Sequence, residues 1–334
     1  MNAADILKAL VRLCKALVAK GAGVSGLTRL SGGASQETWR FHIIDTDQSE
    51  HAFILRRRAE FGPRNDEAIT LATEAGLLQH ALLGGVCVPK VAYICMPNDG
   101  LGDAFIMDFI EGQTVARKIL RDDHYRAARS ILARHCGTQL AKIHAIPITH
   151  NFPALPQSDG MDQLARYEEI YRSFRVNRPI IELSFAWLSK TAPSPSAQTL
   201  VHGDFRNGNL IVGEEGLRAV LDWELAHIGD PREDIGWMCV NSWRFGQAQK
   251  PVGGFGSLED LLQAYEAAGG AVFRLADIKW FQALGSLKWA IMCLIMFQAF
   301  KTGVDPSIER AMIGRRTSEA EIDLLNLMEG RAFA

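Results

Sequence analysis

Cysteine is scarce and scattered. The six residues Cys14, Cys87, Cys95, Cys136, Cys239 and Cys293 include no C-x-x-C pair. That spacing excludes a zinc knuckle and a thioredoxin-like redox motif, and points to reduced thiols acting as small hydrophobes in the cytoplasm. Clustered basic charge is also missing. Lys and Arg total 36 against 38 acidic residues, the net charge is −2, and only Arg56-Arg57-Arg58 forms a run. A nucleic-acid footprint needs far more than this. No apolar stretch approaches the ~20 residues of a membrane span. The strongest, Trp289 to Phe297, is bounded by Lys288 and Gln298 and reads as a buried helix. The first residues, Ala4 to Lys20, alternate Ile6, Leu7, Leu10, Leu13 and Leu17 with Lys8, Arg12 and Lys15, which makes an amphipathic helix and not a signal peptide. Internal repeats and low-complexity segments are absent.

What is present concentrates in one place. Leu200-Val201-His202-Gly203-Asp204-Phe205-Arg206-Asn207-Gly208-Asn209 is followed by Leu221-Asp222-Trp223-Glu224. Thr199 to His202 reads as a short strand entering a loop. Leu210 to Val212 and Leu217 to Leu221 read as two strands joined by the turn Gly213-Glu214-Glu215-Gly216. A four-residue hairpin would set Val212 opposite Leu217 and bring Asp222 beside the loop carrying Asp204. Taken singly, HGD is an ordinary polar turn and Asp222 a strand-end carboxylate. Together, two carboxylates and an amide can activate a hydroxyl and hold Mg²⁺ against nucleotide phosphates, the equipment of phosphoryl transfer to an alcohol.

The 334 residues, 48% of them hydrophobic, suit one large domain or two lobes. Strands are expected at 27–30, 38–44, 52–57, 88–96 and 104–110, with a helix from Asp66 to Leu83 ending at Gly84-Gly85. Beyond Gly112 the pattern turns helical, with candidates at 123–145, 161–190, 258–268, 276–300 and 318–328. A β-rich N-terminal lobe (1–110) and a helical C-terminal lobe (111–334) imply a cleft between them, where small ligands bind.

Ser31-Gly32-Gly33-Ala34-Ser35 is a small-residue loop between two expected strands, which could approach phosphates closely or serve as a plain hairpin turn. No G-K-[ST] follows, so it is not a Walker A loop. Arg56, on the third strand, could reach nucleotide phosphates, and Glu74, mid-helix, could pair with it. Asp234, at the start of an apolar helix, has a structural role as a cap or as a partner of the Asp204 loop. His202 reads as a packed loop residue. Arg206 either neutralises charge on the transferred phosphoryl group or pairs with a nearby acid.

With these residues in view, HGDFRNGN and LDWE resemble the aminoglycoside phosphotransferase/choline kinase-like family of the protein-kinase-like fold. The similarity is strongest to enzymes related to the domain fused to some acyl-CoA dehydrogenases, and it extends over nearly the whole chain. LSGGASQET resembles the nucleotide loop, FILRR the third strand, and Phe105 to Gly112 the hinge. The resemblance implies an α+β, two-lobe fold and an ATP- and Mg²⁺-dependent phosphotransferase. Asp204 would be the catalytic base, Asn209 and Asp222 the metal ligands, and Glu74 the partner of the third-strand cation. Asp108 and Ile110 would face the adenine edge with backbone groups, and Ser31 to Ser35 would meet the phosphates. Arg56 stands where protein kinases carry Lys, and DWE replaces DFG while keeping the metal-ligand Asp. A helical insert of roughly residues 148–195 would build a small-molecule pocket, as in the family.

The rival reading is a nucleotide-binding pseudokinase that regulates a partner without turnover; joint retention of Asp204, Asn209 and Asp222 argues against it. An Asp-rich metal hydrolase is a third possibility. The acceptor is expected to be a small-molecule alcohol, with neither nucleic acid nor membrane as partner. Trp237, Trp243, Arg244, Trp280, Lys288 and Trp289 suit a neutral or anionic, partly apolar alcohol such as a hydroxyacyl compound better than a polycationic antibiotic.

Overall fold

The computed structural model describes residues 1–30, 36–59 and 68–331. Two compact units form. The first comprises Met1–Gly112 with two later returns of the chain, Ile148–Leu155 and Arg218–Ala226; the second comprises Gln113–Pro147, Pro156–Leu217 and His227–Ala334.

In the first unit, α1 (Ala3–Leu17) is capped by the Asn2 side chain, which accepts from the Asp5 N–H. Its Ile6, Ala9, Leu10, Leu13 and Cys14 share one buried face. The strands β1 (Gly21–Leu30), β2 (Gln36–Asp45) and β3 (Glu50–Arg58) follow, then α2 (Leu71–Leu83), β4 (Val91–Ile94) and β5 (Ala104–Asp108). They make one antiparallel sheet in the order β1-β2-β3-β5-β4. Phe53, Ile54 and Leu55 on β3 are all buried because both faces of that strand are covered. Side chains alternate across a strand, so neighbouring arginines part company. Arg57 binds Glu37 and the Leu101 carbonyl, while Arg56 meets Glu74 of α2. Helix α2 starts at Leu71 rather than Asp66; Thr70 caps it by accepting from Thr73 N–H, and Asp66 lies outside the described residues.

The second unit is mostly helical. It contains α3 (Ala116–Arg121), α4 (Arg126–His144), α5 (Gly160–Ser173) and α6 (Pro179–Thr191). The single helix expected over 161–190 is two, because Pro179 cannot sit inside a helix and instead opens α6. The short strand β6 (Thr199–Val201) comes next, then β7 (Leu210–Gly213) and β8 (Gly216–Val220), paired as a hairpin. Only Glu214 and Glu215 separate those strands, so the turn is tighter than the four residues expected. Strand β9 (His227–Gly229) pairs antiparallel with β6. Helices α7 (Arg232–Met238), α8 (Leu258–Ala267), α9 (Leu275–Lys301), α10 (Ile308–Gly314) and α11 (Thr317–Met328) complete the unit. Of these, β9, α3 and α10 were not anticipated.

Helix α9 is long and apolar enough to cross a membrane by length and composition, but most of its apolar window is buried inside the protein. It is the core helix, packed by α7, α10 and α11. Two glycines permit the closest approach to α7. A Cβ on Gly236 would fall 2.6 Å from the Phe281 backbone, and one on Gly285 would fall 2.8 Å from Val240.

What places the loop after β6 is a buried carboxylate. Asp234 lies inside α7 and does not cap it. Its Oδ2 accepts from the His202 N–H at 2.8 Å and its Oδ1 from the Gly203 N–H at 2.9 Å. His144 at the end of α4 approaches Oδ2 through Nε2 at 3.1 Å and meets the Tyr265 hydroxyl through Nδ1 at 2.9 Å. Asp234 is fully buried. Burial disfavours its charge, yet the hydrogen bond from His144, the nearby His144 and His202, and the His202 N–H hold its carboxyl below the usual carboxylate range.

Two predictions follow from this packing. In Asp234→Asn the amide offers one acceptor to two backbone N–H groups, leaving a donor facing a donor; unfolding in urea is expected to show a loss of about 3 kcal/mol. A lowered carboxyl pKa contributes stability above its unfolded value and loses it as pH falls through the folded value, so the variant's acid sensitivity is expected to be flatter. Asp323 behaves oppositely. Burial pushes its carboxyl up to about 6, against the Asn241 amide and Arg244. That contribution is complete below the ordinary value and lost as pH rises through 6. Asp323→Asn is therefore expected to gain thermal midpoint over wild type at pH 8 and to show little gain at pH 4, by differential scanning fluorimetry.

Candidate active site

The first unit gathers Arg56, Glu74 and Asp222. Arg56 donates to the Asp222 carboxylate at 2.5 Å and lies 3.2 Å from Glu74. Burial works against the Arg56 charge, but Glu74, Asp222 and Glu224 outweigh it and hold the guanidinium firmly protonated. Burial pushes Glu74 up to about 7, Arg56 pulling it back and Asp222 and Glu224 adding to the rise. Asp222 follows β8 in the left-handed region, with φ of 66°, a conformation that Asp tolerates better than most residues. Behind it Trp223 is fully buried and Glu224 takes a hydrogen bond from Gln36 at 2.9 Å, while its carbonyl accepts the Ile69 N–H.

Farther along the same unit, Asp108 gives its N–H to the Lys90 carbonyl and Phe109 gives its own to Ala52. Burial raises the Asp108 carboxyl, with Lys90 opposing. Ile110 follows the end of β5. Ser31, Gly32, Gly33, Ala34 and Ser35 lie outside the described residues.

The second unit gathers Asp204, Arg206 and Asn209. Gly203 and Gly208, with φ of 81° and 123°, let the loop turn where a side chain would be strained. The Asn209 N–H closes the loop onto the Arg206 carbonyl at 3.0 Å. Its side-chain Nδ2 donates to the Asp204 carbonyl at 3.0 Å and to Asp204 Oδ2 at 2.6 Å. Arg206 Nε reaches Asp204 Oδ1 at 3.0 Å and Oδ2 at 3.2 Å, so the acid it pairs with is Asp204 itself. The Arg206 guanidinium stands 4.5 Å from the Trp243 ring. His202 is fully buried, its Nδ1 accepting from the Asp204 N–H, as expected of a packed loop residue.

One contact was missed. Trp237 Nε1 donates to Asp204 Oδ1 at 2.7 Å. The signal was available, since Asp234 and Trp237 are three apart on one helix and therefore share a face. Of Trp237, Trp243, Arg244, Trp280, Lys288 and Trp289, read from the sequence as suiting the acceptor, all have buried side chains, and Trp280 lines a depression. Trp280 bonds the Leu188 carbonyl, and Arg244 bonds the Ala248 and Cys239 carbonyls. A small depression of about 60 Å³ beside Trp280, Phe281 and Arg232 includes none of Asp204, Arg206 or Asn209.

An ordered carboxylate ringed by N–H donors, next to an amide oxygen, can accept a hydroxyl proton and assist a hard cation. The family model for the phosphotransferase enzyme family matches residues 26–276. Acyl-CoA dehydrogenase family member 10 of Mus musculus is 27% identical over 229 residues, covering 65% of this chain and 20% of that protein. The chain spans about a fifth to a third of the length of the curated relatives it matches. A crystallised Ralstonia eutropha protein described as a candidate aminoglycoside phosphotransferase superposes with a TM-score of 0.72 at 21% identity, covering 97% of this chain and 98% of that one. The GDP complex of aminoglycoside 2'-phosphotransferase-IIIa superposes with a TM-score of 0.60 at 12% identity, covering 95% and 99%. The fold is protein-kinase-like, a five-stranded antiparallel sheet followed by a mainly helical part, as the resemblance implied. By the match of its family model over three-quarters of its length, the chain belongs to the phosphotransferase enzyme family.

Proposed function

We propose that the protein is an ATP- and Mg²⁺-dependent phosphotransferase that moves the γ-phosphoryl group to a hydroxyl of a small molecule. The observation that carries this reading is the Asp204 carboxylate, held on both oxygens by Trp237, Arg206 and Asn209. Asp204 accepts the proton of the attacking hydroxyl as its oxygen bonds the phosphorus and the bond to ADP breaks. Arg206 offsets negative charge beside it.

As magnesium ligands we propose Asn209 and Asp222, on donor type alone. Both supply hard oxygens, and the Asn209 amide is turned so that Nδ2 serves Asp204 and Oδ1 remains as the ligand atom. When bound, Mg²⁺ neutralises phosphate charge. Arg56 serves the phosphates as a permanently charged guanidinium, braced by Glu74. Asp108 and Ile110 meet the adenine edge with backbone groups. Nucleotide binding is supported by the GDP complex of the structural neighbour.

For the acceptor, the Arg206 guanidinium, which pairs with Asp204 and lies on the Trp243 ring, favours a neutral or anionic alcohol over a polycation. The relatives named as acyl-CoA dehydrogenases accord with a hydroxyacyl compound.

The test is ADP formation from Mg·ATP, with water or an added alcohol as acceptor. Asp204→Asn is expected to lower the rate at least about a hundredfold, with nucleotide binding kept. Asn209→Ala is expected to raise the Mg²⁺ concentration needed for half-maximal rate. Nucleotide binding without turnover on a broad alcohol panel would favour the regulatory pseudokinase, and efficient phosphorylation of kanamycin-type compounds would overturn the acceptor assignment.

A further inference from the structure

The indole of Trp237 is distinguished from its neighbours. Trp237, Trp243 and Trp289 form a contiguous edge-to-face series, with centroids 5.1 Å and 4.8 Å apart. All three are buried. Among the described residues, the Nε1 atoms of Trp243 and Trp289 have no hydrogen-bond partner, whereas that of Trp237 is spent on Asp204 Oδ1 at 2.7 Å. Lys288 lies 5.0 Å over the Trp237 ring, and a Cβ on Gly285 would fall 3.1 Å from Trp237 Cε3. The ring is therefore wedged by α9 from behind and points its only polar atom at the carboxylate.

The contacts on the two oxygens are unequal. Oδ1 takes Trp237 at 2.7 Å and Arg206 at 3.0 Å, which uses both of its lone-pair directions. Oδ2 takes Asn209 at 2.6 Å, and Arg206 only at 3.2 Å, from the same single Nε–H that already points to Oδ1. Resting on the phosphotransferase reading, we propose that Trp237 is a positioning residue. It locks the rotation of the Asp204 carboxylate and reserves Oδ2 as the oxygen that takes the acceptor's proton. Lys288 and Gly285 act through it by fixing the indole.

The experiment compares ADP formation from Mg·ATP in wild type, Asp204→Asn, Trp237→Phe and Trp280→Phe. The last is a matched indole loss in the same core, since Trp280 is equally buried and bonds the Leu188 carbonyl instead. Trp237→Phe keeps the ring and removes the N–H. It is expected to lower kcat by about tenfold, the scale of a hydrogen bond to a charged group, with the KM for ATP unchanged; Trp280→Phe is expected to keep the wild-type kcat. A wild-type kcat in Trp237→Phe, with Asp204→Asn inactive, overturns the positioning role and leaves the phosphotransferase reading standing. Undiminished turnover in Asp204→Asn removes both. Should Trp237→Phe fail to fold, indole N–H resonances decide. Among the seven tryptophans, that of Trp237 is expected to move in Asp204→Asn, and an unmoved Trp237 resonance overturns the proposal.

Discussion

Everything at the centre of the second unit depends on one buried charge. Asp234 sits without solvent inside α7 and holds two consecutive backbone N–H groups, those of His202 and Gly203. An ion is expensive to bury and stays charged only where donors repay its lost hydration. Here the repayment comes from the loop itself and from His144 on α4, so the loop cannot drift without stranding the charge. The residue after those two is Asp204. Its position is thus set by backbone contacts before any of its own side-chain bonds are counted.

The same helix contributes twice. One face of α7 carries Asp234 toward the loop's backbone and Trp237 toward the loop's carboxylate. Its other side lies on α9 across Gly236 and Gly285, with no space for a β-carbon. The long apolar helix, which contributes no atom to the Asp204 cluster's hydrogen bonds, still bears on the proposed chemistry because it determines where α7 can lie. Arrangements of this kind make a rigid platform for a group that must meet its reactant in one orientation.

Much of this was legible in the chain. HGD-x4-N and the Asp of LDWE stand out by residue type and spacing, and the pairing of Arg56 with Glu74 was open to reading from strand and helix. Local signals succeeded where the physics is local, as in the amphipathic α1. They failed where a single residue redirected the chain, as at Pro179, or where an element was too short to show a period, as with α3, α10 and β9. The bond from Trp237 to Asp204 joins residues 33 apart in sequence. Helical spacing from Asp234 hinted at it, but only folding shows which way the indole points. Three of the tryptophans read as pocket lining, Trp237, Trp243 and Trp289, stack in the core, while Trp280 also lines a depression; composition cannot tell a buried aromatic ring from one that lines a ligand site.

The most direct measurement follows ATP carrying a labelled γ-phosphate through one turnover in the presence of Mg²⁺. The account predicts that label leaves ATP for water or an added alcohol in a single transfer, with none held covalently on the protein. Label recovered on the polypeptide, or label that never leaves ATP under any acceptor tried, would contradict it.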